Sequence, residues 1–135
     1  MRIYLFDDEP IITITLQDFL SDLGHEVVSF GSTYELLDHL EKSPEPVDLI
    51  ISDLHVPNGN GITLIREVHK RYPDISIMII MGHDGPTLST NEAISYGVYT
   101  YLHKPIRLSE LELLLVRLSE SRASRPRISS DSKVT

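Results

Sequence analysis

Cysteine is absent from this 135-residue chain, so neither a disulfide framework nor thiol chemistry belongs to it. Long apolar runs are missing too. None approaches the roughly 18 consecutive residues a membrane-spanning helix needs, and the N-terminus, MRIYLFDDEP, reaches acids too soon for a signal peptide. Positive charge is scarce: 12 Lys and Arg stand against 20 Asp and Glu, for a net charge of −8. The imbalance is uneven, since residues 119–135 carry +2 and residues 1–118 carry −10. A body that acidic argues against direct nucleic-acid binding and suits a metal cation or a basic patch on a partner. The expectation is a cytoplasmic domain with no membrane contact. Its 41% apolar content is ordinary for one globular core.

What is present is organised around Val47 to Gly61, VDLIISDLHVPNGNG. The apolar run Val47, Leu49, Ile50, Ile51 reads as a strand buried on both faces, and it stops at a lone carboxylate, Asp53. The turn cluster Pro57, Asn58, Gly59 and Gly61 follows at once. Ahead of it, Ile3, Leu5 and Phe6 form a short strand that ends at Asp7-Asp8-Glu9. Pro10 then opens a helix with Ile12, Leu16, Phe19, Leu20 and Leu23 on one face, and Gly24 closes it. His25 to Phe30 is a second strand. Ser32 or Thr33 caps a helix carrying Leu36, Leu37 and Leu40, which ends before Pro44.

Downstream, a helix from about Asn60 carries Ile62, Leu64, Ile65 and Val68 and ends near Tyr72-Pro73. Ile75 to Met81 is a fourth strand, and Gly82 to Pro86 a loop. A helix from about Thr87 to Tyr96 has few core candidates: Leu88, Ala93, Ile94 and Tyr96. Gly97 precedes a fifth strand, Val98 to Leu102, then His103-Lys104-Pro105 and a Leu-rich helix from about Leu108 to Leu118. Five repeats of strand and helix predict an α/β fold with a parallel sheet and helices on both faces. The folded domain is expected over residues 1–118. Residues 119–135, rich in Ser and Arg, read as a tail or the start of a linker.

In a parallel sheet, Asp7, Asp8, Asp53 and Lys104 all fall at the carboxyl ends of strands, where such folds place their ligands. Three carboxylates in one pocket repel unless a cation is present, and a hard divalent ion, Mg²⁺ for preference, resolves that conflict. Lys104 adds a fixed positive charge. The set suits a phosphoryl group: the cation and the lysine neutralise its oxygens while a carboxylate oxygen attacks phosphorus. Asp53, standing alone on the central strand, is the better nucleophile, and Asp7 and Asp8 are better placed to hold the cation.

These features resemble the receiver domain of two-component response regulators. The acid pair in LFDDEP, the IISDLHVPNGNG segment, Gly97 in YGVYTYLHKP and Lys104-Pro105 carry the resemblance over residues 1 to about 118. It implies a flavodoxin-like, five-stranded parallel sheet of strand order 2-1-3-4-5. It also implies that a sensor histidine kinase or phosphotransfer protein donates a phosphoryl group to Asp53. The domain then catalyses that transfer and its later hydrolysis, and signals to an output domain or protein rather than acting as a general enzyme. Asp8, Asp53 and the backbone carbonyl of His55 would bind Mg²⁺ directly, Asp7 through water, and Lys104 would pair with a phosphoryl oxygen. Members of the family usually carry Thr or Ser at the end of strand four. Here that position is Met81 or, with a loop one residue shorter, Gly82, and neither has a hydroxyl. Tyr101 supplies the aromatic partner of the usual switch.

Competing readings are a phosphatase-like or flavin-binding enzyme, and a pseudo-receiver that no longer takes phosphate. The first lacks the Asp-x-Asp on strand one that such a phosphatase needs and the Ser/Thr/Gly-rich phosphate loop after strand one that a flavodoxin needs. The second draws on Met81 and Gly82. The six His (25, 39, 55, 69, 83, 103) show no metal-ligand spacing. In the last helix Leu111, Leu114, Leu115 and Leu118 make a core stripe. Leu113 and Val116 face elsewhere, as a homodimer contact or as scattered exposed residues.

Overall fold

The computed structural model describes residues 1–56, 59–82 and 89–124, with the backbone alone at 55, 56, 59, 60 and 90. Residues 1–105 form one compact unit and residues from 106 onward a second. In the first, five strands are β1 (Arg2–Phe6), β2 (Glu26–Phe30), β3 (Leu49–Asp53), β4 (Ser76–Met81) and β5 (Val98–His103). They form one parallel sheet in the order β2-β1-β3-β4-β5, as expected from the alternating pattern. A two-residue antiparallel ribbon, His55–Val56 with Gly59–Asn60, follows β3. Pro57 and Asn58, His83 and the rest of the expected 82–86 loop beyond Gly82, and the 125–135 tail lie outside the described residues.

Strand alternation decides which side chains meet. Tyr4 and Phe6 of β1, Ile50 of β3, and Ile77, Ile79 and Met81 of β4 share one core cluster with residues of two helices. Those helices are α2 (Thr33–Lys42) and α3 (Gly61–Arg71). Their contributions are Leu36, Leu40, Leu64, Ile65 and Val68. The odd-numbered partners Ile3, Leu5, Leu49 and Ile51 are equally buried, so β1 and β3 are covered on both faces. Each such side chain contributes about 1.5–3 kcal/mol through removal from water. The central strand is buried at every residue, Leu49 through Asp53.

Local chemistry sets the helix ends. In α1 (Pro10–Asp22) Pro10 occupies the first turn, and only Leu16 and Leu20 are buried. The His25 N–H donates to Leu20 O (3.1 Å) and the Gly24 N–H to Ser21 O (2.9 Å), the paired bonds of a Schellman end. That end leaves Leu23 at the cap and 37% exposed, not in the core as its spacing suggests. Ser32 caps α2 by accepting from the Glu35 N–H (3.1 Å). The fourth helix, α4 (Thr90–Ser95), begins later than expected because Ser89 and Glu92 form a capping box. Of its expected core residues Ala93 is buried and Ile94 is exposed, while Leu88 lies outside the described residues.

In the second unit α5 (Leu108–Ala123) runs past the end expected at Leu118. Leu111, Leu115 and Leu118 are its buried residues, and Leu113 and Val116 are exposed.

The turn from β3 into α3 places Asp53, and it depends on Gly61. A Cβ at Gly61 would stand 2.6 Å from Asp53 O and 2.8 Å from Leu54 Cα, while the Gly61 N–H donates to Leu54 O at 2.8 Å. Backbone on both sides leaves no soft neighbour to yield. Gly61→Ala is therefore expected to cost about 1–3 kcal/mol in urea unfolding. It should also shift the amide resonances of Asp53 and Leu54; unchanged stability and shifts would contradict the close packing.

Candidate functional site

Three strand ends meet at one edge. Asp53 closes β3, Asp7 follows β1 directly, and Lys104 follows β5 directly. The Lys104 backbone is held there by its N–H donating to Met81 O at 2.9 Å, across a ladder that pairs Met81 with His103. The Lys104-Pro105 peptide bond is cis. Asp7 and Asp53 are 5% and 2% exposed, and Asp8 and Glu9 face solvent. Carboxylate oxygens of Asp7, Asp8, Glu9 and Asp53 all lie within 4.8 Å of one another. Four acids that close, two of them buried, make a hard-oxygen donor set that fits a divalent cation.

Lys104 enters this cluster. Its Nζ donates to Asp53 Oδ2 at 3.2 Å, lies 3.6 Å from Asp7 Oδ2, and forms an ion pair with Glu9. The Asp7 carboxylate is oriented by the Glu9 N–H, which donates to Oδ1 at 2.8 Å. Thr13 Oγ1 donates to the Asp7 carbonyl at 3.1 Å, tying the strand end to the first turn of α1. Asp7 Oδ2 has no hydrogen bond among the described residues.

The structure thus brings together Asp7, Asp8, Asp53 and Lys104, the four side chains singled out from the sequence. His55 stands in the ribbon just beyond Asp53, with its backbone alone described. Met81 and Gly82 separate in role. Met81 belongs to the core cluster, whereas a Cβ at Gly82 would lie 3.9 Å from Lys104 Cδ, beside the site. Tyr101 packs half-buried against the same core, its ring 6.2 Å from that of His103. Glu9 is the participant that sequence reasoning missed. Its place between the acid pair and Pro10 was the available signal, since the strand end and the helix start leave residue 9 at the rim.

Burial raises the Asp7 carboxyl to about 6. The Glu9 N–H and Lys104 oppose that shift, and the charges of Asp53 and Asp8 reinforce it. For Lys104 burial works against the charge, but the hydrogen bonds to Glu9 and Asp53 and the charges of Asp7 and Asp53 outweigh it, so the ammonium is held above its usual range. An acid whose folded value exceeds its unfolded value gives stability that is complete below about 4 and lost as pH rises through about 6. Without a divalent ion, Asp7→Asn is expected to unfold at higher urea than the parent at pH 7, and the advantage should vanish below pH 4. Addition of Mg²⁺ should narrow the gap at pH 7 by stabilising the parent. A variant no more stable than the parent at pH 7 would count against burial as the cause.

A doubly wound parallel sheet with clustered acids and one lysine at its carboxyl edge defines an α/β domain built to gather charge at one point. The Response regulator receiver domain family profile matches residues 3–115, and the chain belongs to that family. Among curated proteins it is 31% identical over 114 residues to the two-component response regulator ARR11 of Arabidopsis thaliana, covering 84% of this chain and 22% of that protein. It is 32% identical over 112 residues to ARR14 of the same plant, covering 83% and 29%. The chain therefore spans less than a third of either relative. Among solved structures, the signal receiver domain of an HD domain-containing protein from Pseudomonas fluorescens Pf-5 superposes with a TM-score of 0.80 at 32% identity, covering 92% of this chain and 98% of that one. A response regulator receiver domain protein from Clostridium thermocellum does so with 0.77 at 26% identity, covering 90% and 96%.

Proposed function

We propose that this receiver domain accepts a phosphoryl group on Asp53 from a phosphohistidine of a sensor kinase or phosphotransfer protein. The observation that carries the reading is the Lys104 ammonium 3.2 Å from Asp53 Oδ2, at the edge where Asp7 and Asp8 also converge. An Asp53 carboxylate oxygen forms the new O–P bond as the P–N bond to the donor imidazole breaks, and the departing ring nitrogen takes up a proton. Lys104 then donates to a phosphoryl oxygen. Asp8, Asp53 and the His55 carbonyl would hold Mg²⁺ directly and Asp7 through water. When bound, that ion neutralises phosphoryl oxygens as charge develops. Hydrolysis of the acyl phosphate returns Asp53 to its carboxylate, which makes the domain a signalling element with self-catalysed turnover.

The same reading takes residues 1–118 as the functional domain, with α5 continuing to Ala123 and the remainder a tail or linker. Its longer relatives support an output domain or partner protein downstream, reached by a shape change that Tyr101 reports. Exposed Leu113 and Val116 on α5 offer a homodimer contact. Among the described residues no helix is long and apolar enough to cross a membrane, and a cytoplasmic location is part of the proposal.

Incubation with Mg²⁺ and acetyl phosphate should add about 80 Da to the intact mass, one HPO₃. The adduct should be lost in Asp53→Asn and on chelation of the ion. No adduct at saturating donor would favour a pseudo-receiver instead.

Gly82 bears on signal transmission. With no hydroxyl at position 82, a hydrogen bond from that position to the phosphoryl group, worth about 1.5–3 kcal/mol, is missing. The 3.9 Å spacing leaves room for a side chain, and Gly82 has no left-handed backbone to strain. Gly82→Thr should fold as well as the parent and enlarge the phosphorylation-dependent chemical-shift changes at Tyr101. Shift changes no larger than the parent's would remove the role given to position 82.

A further inference from the structure

Three carboxylates share the Lys104 ammonium, Glu9 at the rim as well as the buried Asp7 and Asp53. Attraction is strongest away from water, so an ammonium facing only Asp7 and Asp53 would hydrogen-bond to both. Instead the Lys104 Nζ donates to Glu9 at the rim and to Asp53 Oδ2 at 3.2 Å, and stays 3.6 Å from Asp7 Oδ2, an ion pair too long for a hydrogen bond. Asp7 Oδ2 is left as a fully buried oxygen with no hydrogen bond among the described residues. The Glu9 side chain is about half exposed and makes no capping bond to α1, so its carboxylate lies on the outer side of the cluster and is available to Lys104. An ammonium has three donors to distribute. Glu9 draws one of them outward.

We propose that Glu9 is a positioning residue for Lys104: it tethers the ammonium at the rim and so keeps Asp7 Oδ2 open to a divalent cation. This inference rests on the cation site of the function proposed above. Without the tether, Lys104 moves inward onto the buried carboxylates and competes with the ion for them. Glu9 thereby favours cation entry beyond the effect of its own charge. A phosphoryl group on Asp53 meets a lysine already held beside it rather than one locked onto Asp7.

The test is a double-mutant cycle on Mg²⁺ binding to the intact chain, followed by calorimetry, with circular dichroism to verify folding. The four proteins are the parent, Glu9→Gln, Lys104→Met and the double variant. Glu9→Gln should raise the Mg²⁺ Kd at least about three-fold more when Lys104 is present than when it is Met, because contacting residues couple. Glu9→Asp keeps the charge but shortens the reach, and should also weaken binding in the parent background only. Equal factors in both backgrounds would overturn the proposal, since Glu9 would then act as charge alone. So would Glu9→Asp matching the parent, or no saturable Mg²⁺ binding by Lys104→Met. If Lys104→Met fails to fold, Lys104→Gln takes its place. No phosphoryl donor enters these measurements, so the tether can fail while the Asp53 adduct still forms, and the reverse.

Discussion

The rest of the structure depends on one electrostatic constraint: four carboxylates must coexist within a few ångströms at the edge of a sheet. Two of them, Asp7 and Asp53, are removed from water almost entirely. Burial of an ionised carboxyl is costly, and a like charge beside it adds to the cost. Lys104 offsets part of that penalty, and the elevated Asp7 carboxyl shows that it does not offset all of it. A site left in that condition suits a divalent cation for the same reason that it strains the fold.

The sheet exists to hold that constraint in place. β1 and β3 pair in register from Ile3 with Leu49 to Phe6 with Ser52, so the ends of the two strands, and with them Asp7 and Asp53, reach the edge together. β4 and β5 then carry Met81 and His103 to the same level, which puts Lys104 opposite the acids. The apolar cluster around Tyr4, Phe6, Ile50, Ile77 and Ile79 keeps the strands from sliding, since a one-residue slip would turn every side chain to the wrong face. Precision at the edge comes from bulk in the middle. Gly61 completes the arrangement by letting α3 start directly against the Asp53 carbonyl.

Much of this was legible from the chain because its signals are local. Continuous apolar runs ending in acids marked β1 and β3, and Gly24 marked the end of α1. Where a signal depended on several residues acting together, reading was less complete. The start of α4 followed the reciprocal bonds of Ser89 and Glu92 rather than apolar spacing, and Ile94 turned outward. Leu23 fitted the helical stripe, yet the Schellman end that follows carried it to the surface. The α5 helix continued past Leu118, where its buried stripe ends, because Ser, Glu and Arg can extend an exposed helix without adding to a core.

The amino-acid order by itself determined the strand-and-helix alternation, the parallel sheet and the candidates Asp7, Asp8, Asp53 and Lys104, because periodicity and charge at strand ends are written along the chain. Only the tertiary structure decided that Glu9 joins them, that Asp7 Oδ2 goes without a hydrogen bond among the described residues, and that a side chain at position 82 would lie beside the Lys104 side chain while that of Met81 enters the core. Each of those facts is a distance between groups on different strands or loops. Such distances are set by sheet register and by competition among charges for one ammonium, and no local pattern encodes the outcome of that competition.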